Sequence, residues 1–586
     1  MKNFLTYTLA TLTGIFLSTL LFFLLILILI AVSTAEKPVE VKSNTILYME
    51  MQDRITDRSA ETPLNFLPSQ FPVVREMGLN DILNSISKAK KDDNIRGIYL
   101  ELTTIAAGMG TTEEIRNALL DFKTSGKFVV AYADFFTQKS YYLASVADSI
   151  YMNPEGNFHF TGLSSQILFF KRAMDKLGIE AQVIRHGEYK SFVEPYSREK
   201  MSPQNREQTL VWIGSIWKHM LSGIGEQRRL DPGFLDRQAN ALSITMAGDA
   251  LDYGLVDGLV YKDEMIEMLR NLSGSDRDKD PRMIRLRKYF KVPEKRDYKG
   301  IAHDKVAVIY ASGDILLGNT GEGTISSERI SKAIRKARRD SSIRAIVLRV
   351  NSGGGGVLAS EVIWREVDLA ANTKPLVASM GDVAASGGYY ILSPADSILA
   401  QPTTVTGSIG VFAMLPNLQG FMNNKLGITV DVAKTNPHAD MGTPFRPLTG
   451  DEKKVMQAMV DDTYNSFVAK VSEGRKMNRS EVDAIGGGHV WSGENALANG
   501  LIDRYGGLQD AIRTAASMAG LEKYRVVELP VLEDPLDQIL RELSENTRAK
   551  IVRRELGQYY PYFRSLSEIK GAFGVQARLP FKFELY

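Results

Sequence analysis

Ser386 stands in SMGDVAASGGYY, Ser379 to Tyr390, where an apolar run gives way to two glycines and an aromatic stretch that reads as a short helix. A serine at a strand-to-helix junction is exposed at a helix N-terminus, where the helix dipole favours negative charge. Ala384, Ala385, Gly387 and Gly388 leave room beside it for a carbonyl group. The same residue could equally be a plain N-cap that satisfies orphan N–H groups and does no chemistry. The pattern is Ala-x-Ser-x-Gly, not the Gly-x-Ser-x-Gly of an α/β-hydrolase elbow.

Two further segments carry matching chemistry. NSGGGGV, Asn351 to Val357, directly follows an apolar strand. Consecutive glycines permit positive φ and let backbone N–H groups approach a ligand, and donors aimed at a developing oxyanion are what acyl transfer requires. A flexible surface loop or a phosphate cradle would look the same, although no GK[ST] follows to make a P-loop. A serine nucleophile also needs a base. His438 and His489 have no recognisable triad context, whereas HGEYKSFVEPYSREKMSPQ, His186 to Gln204, offers Lys190. Lysine serves as a base near neutral pH only if burial brings its pKa down to roughly 7–8; most lysines are solvated surface groups.

The elements that must position these residues come in two copies. ISKAKKDDNIRGIYLEL from Ile86 matches IRKARRDSSIRAIVLRV from Ile334 without a gap, and YYLASVADSI from Tyr141 matches YYILSPADSI from Tyr389 at the same offset. MDKLGI ending at Ile179 and AGDALDYGLVDGL from Ala247 have counterparts ending at Ile428 and starting at Ser492. This is domain duplication, not a short solenoid repeat. Each copy alternates strand and helix: Ile46–Met51 and Val306–Tyr310 open the two copies, followed by the buried-type strands Gly97–Leu102 and Ala345–Val350, then Phe128–Ala133 and Pro375–Ser379. Such alternation implies a βαβ, α/β architecture. The expected divisions are an anchor at 1–35, an N-terminal domain at 45–270 carrying Lys190, a linker at 271–304, a C-terminal domain at 305–528 carrying Ser386, and a tail at 529–586 with a helical stretch near Leu536–Leu556. The copies differ where chemistry is expected: Gln138 aligns with Ser386, and TTIAAGMG stands where the glycine run would be. Gln138 cannot act as a nucleophile.

Composition narrows the classes. Apolar content of 44% and charged content of 24% are those of a globular protein, and a net charge of +2 supplies no field that would favour nucleic acid. Absence of cysteine removes disulfides, thiolate nucleophiles and cysteine-ligated metals. Six scattered histidines show no metal-ligand spacing, so no metal or cofactor is expected. No charged side chain occurs from Asn3 to Ala35, and an apolar stretch of roughly 20 residues spans a bilayer as a helix. A signal peptide cleaved near Ser33–Ala35 is the competing reading. Lys2 on one side and the polar body on the other predict a single-pass membrane protein with Lys2 in the cytoplasm and its body across the membrane.

Taken together, YKSFVEPYSREKMS around Lys190, VNSGGGGVLASEV around Gly354, MGDVAASGGYYILSPAD around Ser386, and TVTGSIGVF at Thr404–Phe412 resemble the bacterial signal peptide peptidase A (protease IV) family in its long, duplicated form. The resemblance runs from the membrane helix to about Gly520. It implies two tandem crotonase- and Clp-protease-like domains with a Ser–Lys dyad between them: Ser386 as nucleophile, Lys190 as base, and Gly354 or Gly355 with the N–H of Gly387 as oxyanion hole. It further implies a membrane-anchored serine endopeptidase that degrades cleaved signal peptides and similar unfolded apolar peptides. A ring-like homo-oligomer, a tetramer, is part of the same expectation. One departure stands out. The family pattern NSPGG has proline where this chain has Gly353, so the loop loses a fixed φ unless the neighbouring chain compensates. Ser191 and Glu194 are the sequence neighbours that could orient Lys190, but an ionised Glu194 close by would raise the lysine pKa. The alternatives are a crotonase-type acyl-CoA enzyme on the same fold and a non-catalytic membrane scaffold.

Overall fold

Ser327–Arg339 illustrates how local sequence builds the layers. Ser326 caps the helix by accepting the N–H of Arg329 at 3.2 Å, and Ile330, Ala333, Ile334 and Ala337 form the buried stripe. Leu79–Lys91 is its counterpart in the first half, burying Ile82, Leu83, Ile86 and Ala89. These helices cover parallel sheets whose strands are apolar on both faces, as parallel strands between helices must be.

The computed structural model describes residues 2–34, 39–59, 76–276, 279–293, 302–532 and 574–579. In the first half the sheet order is Gly258–Leu259, Ser149–Met152, Phe128–Ala133, Ile95–Glu101, Thr45–Glu50 and Met283–Arg285, all parallel. In the second half Leu376–Ala385, Ile343–Ser352, Lys305–Ser312 and Arg525–Leu529 repeat that order. The duplication read from sequence thus recurs strand for strand. Even detail is repeated: the hydroxyl of Tyr141 donates to Leu255 O at 2.7 Å and that of Tyr389 to Leu501 O at 2.8 Å.

The expected linker differs. Met283–Arg285 pairs with Thr45–Glu50 and Leu286–Phe290 is helical, so this part of 271–304 closes the first sheet as Arg525–Leu529 closes the second. Its short, charged sequence hid an edge strand whose ladder partner lies more than two hundred residues away. The expected helix near Leu536–Leu556 lies outside the described residues.

A third sheet ties the halves together. Its order is Thr324–Ser326, Asp314–Leu316, Gly354–Gly356, Gly574–Arg578, Phe412–Asn417 and Glu180–Arg185. Glu180–Arg185 of the first half pairs antiparallel with Phe412–Asn417 of the second, and Gly574–Arg578 comes from the tail. A buried ionic network fastens the same two halves. Arg349 is fully buried; its guanidinium donates to Asp57 Oδ1 at 2.8 Å and to Glu114 Oε1 at 2.6 Å, both from the first half, and to Ser379 Oγ and Met380 O on the strand leading to Ser386. Asp382 on that strand accepts the Thr111 N–H at 2.7 Å.

The first helix runs Lys2–Thr34. Part of its side chains lie outside the described residues, and among the described residues no helix is long and apolar enough to cross a membrane.

Removing one partner of a buried charge cluster leaves the others desolvated and unpaired. Arg349→Leu is therefore expected to cost about 3–5 kcal/mol, read as a lower denaturant midpoint of the full chain. Arg335→Ala, whose half-exposed side chain pairs with Glu366, is expected to cost less than about 1 kcal/mol.

Candidate active site

Leu376–Ala385 ends at Ser386, and Gly387–Leu392 is helical from the next residue. Ser386 has φ 55° and ψ −117°, a conformation that L-residues adopt at a cost on the order of 1–3 kcal/mol. Its own N–H donates to Gly407 O at 2.8 Å, and the side chain makes no capping bond to the helix. The plain N-cap reading therefore fails: the hydroxyl is turned away from the helix N–H groups.

What it meets is Lys190. Lys190 Nζ lies 2.7 Å from Ser386 Oγ and donates also to Ser408 Oγ at 3.0 Å and Ser408 O at 3.1 Å. The path is short: Glu180–Arg185 is held on Phe412–Asn417, and His186 N–H continues that ladder onto Val411 O at 3.1 Å. Gln208, on the long helix Pro203–Arg228, then fixes the loop. Its Nε2 donates to Tyr189 O and Ser191 Oγ, both at 3.0 Å, while its Oε1 accepts the N–H of Val490. Gly488, at φ +88°, closes over the lysine backbone: a Cβ there would fall 2.5 Å from Lys190 N.

Lys190 and Ser386 are both fully buried, and desolvation holds the lysine pKa well below its ordinary value. No carboxylate opposes that shift. Glu194, the expected neighbour, faces away: its Oε2 accepts from Ser202 N–H and Asn205 Nδ2, and Ser191 is engaged by Gln208. Ser408 is the group that sequence reasoning missed, although TVTGSIGVF had been singled out. Its φ of 50° and the bond from its N–H to His489 O turn both oxygens toward Lys190, and nothing in the local sequence announces that. The histidines are occupied elsewhere. His438 pairs with Glu452, and the His489 ring stacks on Trp491.

The glycine run is extended and crowded. Gly354 has φ +100°, but its N–H donates to Ser352 Oγ at 3.1 Å, which turns that donor away from the site. Gly355 pairs with Ala577. Because Leu579 N–H donates to Gly353 O at 2.6 Å, the hydrogen-bonded pairs of this antiparallel ladder recur two residues on, at Gly355 and Ala577. The Ala577 carbonyl thus accepts the Gly355 N–H. The same oxygen lies 3.1 Å from where a Cβ on Gly387 would sit. As the first residue of its helix, Gly387 has an N–H without an intrahelical acceptor. A peptide carbonyl of the chain's own tail therefore occupies the place between Gly355 and Gly387. The bond to Gly353 also supplies the bracing that proline would have given the loop.

These features describe a hydroxyl, a desolvated amine and convergent backbone donors in an α/β protein, which is the equipment of a serine hydrolase. The comparisons narrow the class. The model of peptidase family S49 matches residues 121–276 and 368–522, one stretch in each half. Protease 4 of Salmonella typhi is 37% identical over 489 residues, covering 82% of this chain and 78% of that protein. The chloroplastic serine protease SPPA of Arabidopsis thaliana is 33% identical over 507 residues, covering 84% of this chain and 72% of that one. A putative signal peptide peptidase SppA of Enterococcus faecium is 31% identical over 237 residues, 39% of this chain and 68% of its own. Among solved structures, a ClpP1 mutant from Listeria monocytogenes covers 35% of this chain and 94% of its own at 14% identity, with a TM-score of 0.23, a likeness too slight to carry any argument. The protein is a serine peptidase. It belongs to peptidase family S49, in the long form with two copies of the domain, and the acyl-CoA and scaffold readings gain nothing from these matches.

Two outcomes follow from the desolvated amine. Because folding lowers the Lys190 pKa, the unfolded chain holds a proton that the folded one lacks between the folded value and about 10.4. Folded stability therefore rises with pH through that window. The gap in melting temperature between Lys190→Met and the parent is expected to shift in favour of the parent as pH rises through that window toward 10. Ser408→Ala removes an acceptor that favours the ammonium form, so the acid limb of the activity profile is expected to move to lower pH, with kcat/KM falling roughly tenfold.

Proposed function

We propose that Ser386 is the nucleophile and Lys190 the general base of an endopeptidase acting on cleaved signal peptides and similar unfolded apolar segments. The observation that carries this reading is the 2.7 Å contact between a fully buried lysine amine and the serine hydroxyl. Neutral Lys190 takes the Ser386 proton as Oγ attacks the peptide carbonyl; the N–H groups of Gly355 and Gly387 receive the oxyanion. The lysine returns the proton to the leaving amine, and a water activated by the same amine then hydrolyses the acyl-enzyme. Gly354, with its donor committed to Ser352, shapes the loop instead.

A substrate would lie as an antiparallel strand between Gly354–Gly356 and Phe412–Asn417, the course that Gly574–Arg578 follows. Main-chain pairing of that kind tolerates varied side chains, which suits degradation of many sequences. The named signal peptide peptidase among the relatives supports the substrate class. Membrane anchoring through Lys2–Thr34, with the body outside the cytoplasm, rests on the apolar sequence of that helix. A homo-oligomer, a tetramer in the expectation above, completes the reading.

The deciding measurement is hydrolysis of an apolar peptide ester by the full chain in detergent. Ser386→Ala and Lys190→Ala are each expected to lower kcat by on the order of 10⁴-fold or more. Parent-like turnover in either variant would remove that residue from the mechanism. In the parent, kcat/KM should rise with pH as Lys190 loses its proton; a flat profile would assign the base elsewhere. Because the tail strand competes for the substrate groove, Arg578→Glu, which sets a second carboxylate beside Asp314, is expected to lower KM severalfold at unchanged kcat.

A further inference from the structure

Gly574–Arg578 ends on a side chain whose partner plays no part in the chemistry at Ser386. Gly355 pairs with Ala577 on one side and with Ile315 on the other, and Gly354 pairs with Arg578. One step back along the parallel ladder, Asp314 falls beside Gly354. Asp314, Gly354 and Arg578 therefore stand in one row across three strands, and side chains in a row share a face of the sheet. The middle member has no side chain. The Arg578 guanidinium reaches over it to the Asp314 carboxylate and is the one partner of that carboxylate among the described residues. The arginine side chain is 12% exposed and the aspartate 47%, so a nearly buried cation covers a carboxylate that otherwise faces water.

Ala577 fixes where this pair stands relative to the reacting bond. Its carbonyl occupies the place between Gly355 and Gly387, where the scissile carbonyl of a substrate is proposed to sit. Ala577 then stands for the residue on the acyl side, and Arg578 for the first residue on the leaving-amine side. The two side chains face opposite ways. Ala577 is buried, and Val575, on the same face, packs against the core that holds Ile315, Ile325 and Ala413. The acyl side thus offers apolar surroundings, whereas the leaving side offers one carboxylate.

We propose that Asp314 is a specificity-determining residue, selecting substrates with a basic residue, arginine above lysine, directly after the scissile bond. This rests on the reading of Ser386 as nucleophile and of the tail strand as the course of the substrate. Arginine is favoured because its planar fork can meet both carboxylate oxygens, while lysine brings the charge without the fork. A glutamate at the same position would face Asp314 across a glycine, with no side chain between them. The partner carboxylate is half-exposed, so the preference is modest. Arginine over alanine is expected to gain about three- to tenfold in kcat/KM, carried mostly by KM, because the pair forms equally in the bound and reacting states.

The test uses the full chain in detergent with four internally quenched peptides, Val-Gln-Ala-Xaa-Leu between blocked ends, Xaa being Arg, Lys, Ala or Glu. Cleavage between Ala and Xaa is located by mass spectrometry. The parent is expected to rank them Arg, Lys, Ala, Glu, with the spread shrinking at high salt. Asp314→Asn should bring the ratio of Arg to Glu peptide to within about twofold of one, and Asp314→Lys should reverse it. Weakening the hold on Arg578 would change KM for all four peptides alike, so a merely structural role of Asp314 leaves these ratios untouched. A parent that treats the Arg and Glu peptides alike, or an Asp314→Asn variant that keeps the parent ratio, overturns the inference. Ser386→Ala separates the two readings. If it abolishes cleavage while the parent shows no preference, the dyad stands and this inference falls; if cleavage persists in it, both fall.

Discussion

An amine buried beside a hydroxyl is the constraint on which the rest of this structure depends. Lys190 gains no compensating carboxylate, only Ser386 and Ser408. Taking an ammonium out of water without an ion pair costs several kcal/mol, and that cost pulls the amine's pKa well below its ordinary value. Everything near the lysine serves that end: glycine at Gly488 lets backbone close over it, Gln208 clamps its loop, and Glu194 is tied to Ser202 and Asn205. A carboxylate swung toward Nζ would raise that pKa again and work against the role of base proposed for the lysine.

Gene duplication explains why the amine and the hydroxyl come from different halves. Both copies keep the sheet, the helices and the tyrosine that anchors the helix after the third strand, because those are set by packing. They part company at the junctions. The first copy keeps the lysine and holds glutamine at the serine position, while the second keeps the serine. A site divided this way exists only when the two halves are docked, and the Arg349 network with Asp57 and Glu114 does the docking at the base of the serine strand. If the proposed dyad is the catalytic one, its competence depends on that docking.

The tail strand adds a further layer. Gly574–Arg578 extends the glycine run as a peptide would, with the Ala577 carbonyl between Gly355 and Gly387. One element both braces a loop that has glycine in place of proline and fills the groove that loop helps to form. In the proposed substrate path, a peptide would have to displace a strand held by main-chain bonds and the Arg578–Asp314 pair.

The sequence alone determined the duplication, the α/β alternation, the buried strands, and the candidacy of Ser386 and Lys190, because each is written in local residue pattern or in self-comparison. Even the wrong details were local: Met283–Arg285 is too short and charged to read as a strand without its partner Thr45–Glu50. Tertiary structure decided what locality cannot encode. It chose Ser408 over Ser191 and Glu194 as the companion of Lys190, because a φ of 50° at Ser408 aims two oxygens at the amine. It separated Gly355 from Gly354 by spending the latter's N–H on Ser352, and it set a distant tail against the glycine loop. Above all it turned an ordinary lysine into a desolvated one. Burial is a property of everything packed around a side chain, and no stretch of sequence around Lys190 contains it.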